Sequence, residues 1–121
     1  MSDKAAISLA TGLEDAERVT VALLVAVAAA ESGRPTLMFL TKEAVRLATE
    51  SVAVGTACAG CPDIPGLMAR LAAAGGTLLV CPICFNTKGL DAHTLLTNAA
   101  LGGTVQLWEW IGPEAASCFS Y

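Results

Sequence analysis

The sequence predicts the α/β class: a three-layer α/β/α fold on a mainly parallel sheet of four to five strands. Three observations predict it. Short apolar runs alternate with longer segments of helical periodicity. The connections between them are short, as in βαβ units. The strand-like runs are apolar on both sides, as a sheet covered on both faces requires. At 121 residues the chain fits one domain, residues 1–121, because domains most often run to about 100–150 residues.

Each element has a local reason. Ala5 to Ala10 is an apolar run broken by Thr11-Gly12, which suits a buried first strand. Glu14, Asp15 and Glu17 place negative charge where a helix begins, and the helix runs to Ser32 with Gly33 just past its end. Thr36 to Leu40 is the second strand. Thr41 then caps a short helix reaching Thr49. Ser51 to Gly55 reads as a short strand, and 56–63 as a small-residue loop. Pro65 opens a helix on which Leu67, Met68, Leu71 and Ala72 recur at helical spacing, closed by Gly75-Gly76. Thr77 to Cys81 is a strand. Asn86 to Ala100 reads as mostly helical, the stretch from Val105 to Trp110 as a final strand, and 113–121 as an irregular tail.

Composition excludes several functions. Hydrophobic residues make up 55% and charged residues 15%, so the chain is no disordered segment, and so few charges point to subunit contacts. A net charge of -4 leaves no cationic surface for nucleic acid and no polybasic run for an anionic membrane. The longest apolar run, Val19 to Ala30, is too short to span a bilayer of about 30 Å. The first residues carry no signal-peptide pattern, so a cytoplasmic address is expected.

Cysteine is the unusual feature, with Cys58, Cys61, Cys81, Cys84 and Cys118. In a parallel α/β sheet every strand ends at the same rim. Cys81 closes a strand, Cys58 and Cys61 precede a helix that starts at that rim, and Cys118 follows the expected last strand. All five thiols are therefore expected where α/β proteins bind ligands.

Three chemistries fit such thiols. Cys58, Cys61, Cys81 and Cys84 match the four-thiolate zinc template of two C-x-x-C pairs, although a helix and a buried strand intervene where zinc ribbons place hairpins. Dithiol exchange at Cys81-Pro82-Ile83-Cys84 is the second, with a turn expected between the strand and its helix. The third is sulfur relay through a persulfide, for which Cys84, Asn86, Thr87 and Lys88 supply a thiol, polar groups and positive charge.

The stretch from Thr77 to Leu90, with Cys81-Pro82-Ile83-Cys84 and Lys88-Gly89 at its heart, resembles the DsrE/DsrF family, which includes sulfur-relay proteins of the TusD type. The preceding helix with Gly75-Gly76 and the first two strands fit as well. The resemblance implies a five-stranded sheet, assembly as a homo-oligomer (trimer or hexamer), and a sulfur donor or acceptor protein as partner. The family's relay cysteine falls on Cys84, Cys81 becomes the second or resolving thiol, and Lys88 holds the thiolate charge. Lys88 replaces the family's arginine, which keeps the charge and loses the bidentate fork. No cofactor is expected, zinc being the alternative.

Other residues read as structural. His93, the single histidine, is expected to be a half-buried helix residue, with Asp91 capping its helix. Thr11-Gly12 sits where a nucleotide would bind, but no glycine-rich phosphate motif is present and Glu14 and Asp15 would repel phosphate. Trp108, Trp110, Phe119 and Tyr121 form core or an oligomer contact, the latter bringing Cys118 towards a neighbouring subunit.

Overall fold

A computed structural model describes residues 3–50, 60 and 62–121. The expected strand at Ser51 to Gly55, and with it Cys58 and Cys61, lies outside the described residues. Five parallel strands form one sheet in the order β4-β3-β2-β1-β5: β1 (Ala5–Leu9), β2 (Thr36–Leu40), β3 (Thr77–Val80), β4 (Ala99–Leu101) and β5 (Ser117–Ser120). Among the described residues, four α-helices join them: α1 (Ala16–Glu31), α2 (Ile64–Ala73), α3 (Pro82–Thr87) and α4 (Thr104–Ile111).

Alternation along the strands decides the layers. Ile7, Leu9, Met38, Leu40, Leu78 and Val80 share one face and are buried there with Val19, Leu23, Leu67 and Leu71 of α1 and α2. The two helices pack against each other as well as on this face. The direction in which strands are added across the sheet reverses after β4, because β5 lies at the opposite edge. A right-handed crossover then puts α4 on the other face. Two contacts agree with that placement: a side chain at Gly102 would strike Leu79, and Lys4 donates to the carbonyls of Trp110 and Ile111.

Most expected elements are present with shifted ends. Asp15 caps α1, its carboxylate accepting the Arg18 N–H at 3.1 Å, and a 3₁₀ turn (Leu13–Asp15) precedes it. The Thr41 helix is a seven-residue 3₁₀ segment, Lys42–Ala48. Asp63 caps α2 by accepting the Gly66 N–H at 2.9 Å.

The C-terminal third departs from expectation in three places. Asn86 to Ala100 is not one helix. It holds the end of α3, a 3₁₀ turn (Ala92–Thr94) and β4. Val105 to Trp110 is helix, not strand: its β-branched and aromatic content imitates a strand, but the link between opposite sheet edges needs a crossover. The tail contains β5, whose residues Ser117 to Ser120 are all exposed, so no apolar alternation announced it. Cys118 accordingly lies within an edge strand, level with Ala6, and not beyond the last strand.

Candidate functional site

Three backbone hydrogen bonds align the loops along the carboxyl rim. Thr41 N–H donates to Leu9 O at 3.0 Å, Cys81 N–H to Leu40 O at 3.0 Å, and Gly102 N–H to Val80 O at 2.9 Å. Each loop therefore begins beside the end of its neighbouring strand. The segment after β2 and the cysteine segment after β3 are adjacent for this reason.

Helix α3 starts at once after β3, with Cys81 as N-cap and Pro82 in its first turn, where the missing proline N–H costs nothing. No turn separates the thiol pair from its helix, contrary to the sequence expectation. Phe85 N–H donates to Cys81 O at 3.0 Å and Lys88 N–H to Cys84 O at 3.2 Å. Gly89, at φ +66°, ends the helix: its N–H reaches Asn86 O and the Leu90 N–H reaches Phe85 O. A residue with a side chain would be strained at that φ.

The burial of α3 follows helical spacing. Cys81, Cys84 and Lys88 are partly buried and Phe85 is fully buried, whereas Ile83, Asn86 and Thr87 are exposed. Both thiols and the lysine thus share one face, turned towards the 3₁₀ segment 42–48, against which α3 packs. Cys81 and Cys84 are free thiols.

That neighbouring segment contributes a residue the sequence reading missed. Glu43 accepts an ion pair from Lys88 at 3.3 Å through one carboxylate oxygen and a hydrogen bond from Arg46 Nε at 2.9 Å through the other. The Arg46 hydrogen bond first, then that of Lys88, holds the Glu43 carboxyl below the ordinary carboxylate range. Lys42 adopts a left-handed backbone (φ 52°), and Gly12 lies so close that a Cβ there would be 2.7 Å from Glu43 O. The sequence signal was available: a Glu-x-x-Arg pair just beyond β2, on a segment otherwise rich in buried apolar residues.

Other sequence candidates lie elsewhere. Cys118 is exposed, and β5 is three strands from β3. With its register level with Thr77, Cys118 sits about 19 Å from Cys81 by strand spacing and rise. The expectation that it shares the rim is overturned, because the last strand forms from the tail itself. His93 is exposed in the 3₁₀ turn, not half-buried on a helix, while Asp91 does cap that turn by accepting the His93 N–H at 2.9 Å. At Thr11-Gly12, the Gly12 N–H donates to Glu14 Oε1 at 2.8 Å. Among the described residues, no group of three or more His, Cys, Asp or Glu is placed to hold a metal ion. An apolar cleft of about 210 Å³ lies between Leu47, Pro65, Met68, Ala72 and Leu96 and contains none of the described cysteines. No described helix is long and apolar enough to cross a membrane.

The fold and site define a parallel α/β protein whose third strand leads directly into a cysteine-bearing helix at the carboxyl rim. The chain belongs to the DsrE/DsrF-like family, matched over residues 3–115. Its fold is shared by the YchN protein of E. coli, with a TM-score of 0.79 at 20% identity over all of both chains. It is shared too by MTH1491, a protein of unknown function from Methanobacterium thermoautotrophicum (TM-score 0.68, 11% identity, 98% of each chain). A third relative in structure is BT1422, a conserved protein of unknown function from Bacteroides thetaiotaomicron (TM-score 0.67, 18% identity, 98% of this chain and 95% of that one). No curated protein sequence matches the chain.

Proposed function

We propose that this protein carries sulfane sulfur as a persulfide on Cys84, in the manner of a sulfurtransferase relay. The observation that supports it is the common face of α3, which presents Cys81, Cys84 and Lys88 together at the rim, partly accessible. Membership of a family associated with sulfur relay points the same way.

The chemistry balances without a cofactor. The Cys84 thiolate attacks the outer sulfur of a donor persulfide, the donor's S–S bond breaks, and the donor leaves as a thiolate. Cys84 then bears a persulfide whose negative charge Lys88 is placed to offset. An acceptor thiolate repeats the step in reverse, or Cys81 attacks the Cys84 sulfur, forming a Cys81–Cys84 disulfide and releasing hydrosulfide. A donor or acceptor protein and assembly as a homo-oligomer of three or six chains belong to the same reading. Exposed Val105 and Trp108 on α4 and Phe119 on β5 support the assembly.

Incubation with glutathione persulfide followed by mass spectrometry tests the proposal. Gain of one sulfur atom on Cys84, absent in Cys84→Ser, is the expected result. Gain at another cysteine, or none, would overturn it.

One observation favours a second reading, dithiol exchange at Cys81 and Cys84. The helix begins at Pro82, so Cys81 caps it and Cys84 lies in its first turn, as such pairs require. Loss of two hydrogens from the peptide carrying both residues, without added sulfur, would identify that chemistry.

A further inference from the structure

We infer that Glu43 is a positioning residue for Cys84: it holds the Lys88 ammonium as a counter-ion shared with the sulfur, so that an anionic sulfur forms at the expense of the Glu43–Lys88 pair. The inference deepens the proposal above and rests on Cys84 being the reactive thiol.

Three placements carry it. First, Cys84 and Lys88 stand four residues apart at one face of α3, where Cβ atoms come within about 6 Å. Second, the Lys88 side chain is only 20% exposed and its ammonium meets Glu43 at 3.3 Å, so it is drawn back against segment 42–48 and not extended into solvent. Third, Glu43 is itself held, by Arg46 at 2.9 Å and by the close approach of its backbone to Gly12. The ammonium is therefore paired with a held carboxylate, and its residue stands four positions from the Cys84 thiol.

The charged groups on the two packed elements are Lys88 at the C-cap of α3 and Lys42, Glu43 and Arg46 on the facing segment, with Cys81 at the N-cap as the other titratable group. Glu43 alone among the four is negative. When Cys84 loses its proton to solvent, the new charge meets repulsion from Glu43 and competition for the same ammonium. Neutralising Glu43 removes both effects at once.

The test is the pH–rate profile of Cys84 alkylation by iodoacetamide, located by fragment masses between Ile83 and Phe85. In Glu43→Gln the midpoint is expected to fall by roughly 0.5–1 pH unit, mainly because the Lys88 ammonium is released from its carboxylate partner. Glu43→Asp, which keeps the charge but shortens its reach, gives a midpoint between the two. In a Lys88→Met background the Glu43→Gln shift shrinks to less than half, because the lysine transmits it. An unchanged or raised midpoint in folded Glu43→Gln overturns the inference, as does a shift of equal size without Lys88. Persulfide formation is scored separately. A shifted midpoint with no persulfide on Cys84 overturns the carrier role alone, and a persulfide with no shift overturns this inference alone.

Discussion

Replacing Gly12 with alanine tests the close contact between the loop after β1 and the segment that carries Glu43. A Cβ at this position would lie 2.7 Å from Glu43 O, 2.9 Å from its carbonyl carbon and 2.9 Å from its Cβ. Two of these atoms are backbone, so no side-chain rotation relieves the clash. Gly12 has φ -109° and ψ -150°, an extended conformation open to alanine, and the cost is therefore purely steric. Overpacking of this kind costs about 1–3 kcal/mol, offset by about 0.4–1 kcal/mol from a stiffer unfolded chain. The net loss is about 0.5–2 kcal/mol. For a chain of this length the unfolding entropy is about 0.25 kcal/mol per kelvin, which converts the loss to a fall of roughly 2–8 °C in Tm. Calorimetry measures it. The same displacement carries Glu43 away from Lys88, so its carboxyl should titrate closer to the ordinary range in carboxyl-resolved NMR. A Tm that is unchanged or higher, with the Glu43 titration unmoved, would show that the contact is slack and refute the steric argument.

Three further outcomes follow from the same geometry. Phe85 is 1% exposed and anchors α3 to the core, so Phe85→Ala should cost about 3–5 kcal/mol, seen as a lower midpoint in urea unfolding; a loss below about 1 kcal/mol would mean that other contacts hold the helix. Because the Glu43 carboxyl is held below its ordinary value, its ion pairs contribute fully above that value and are lost as pH falls through the depressed one; Arg46→Met should raise the titration midpoint more than Lys88→Met does, and the reverse order would contradict the assigned causes. Val105 and Trp108 are 64% and 68% exposed, so Val105→Glu with Trp108→Glu should leave the circular dichroism spectrum intact while reducing the sedimenting mass; an unchanged mass would place any assembly contact elsewhere.

Where local chemistry is strong, the chain announced its own elements. Glu14, Asp15 and Glu17 mark the start of α1 by their charge, and Gly33 and Gly75 each sit just past a helix with positive φ. β2 needed nothing beyond five consecutive apolar-compatible residues, all buried. The cysteine pair at the end of β3 followed from these boundaries together with the parallel topology.

Other features were decided only by contacts distant in sequence. Whether Val105 to Trp110 became strand or helix depended on where β5 found its partner, because a chain leaving β4 must cross the whole sheet to reach β1. β5 is held by pairing with β1 and none of its side chains is fully buried, so no pattern within Ser117 to Ser120 betrays it. That same pairing removed Cys118 from the rim. Glu43 met Lys88 because β2 and β3 are neighbours and their following loops start side by side, a juxtaposition of residues 45 positions apart. Periodicity and capping act within a few residues and are legible in one dimension; strand order and ion pairing across loops are free-energy choices among distant segments, and only the folded chain makes them.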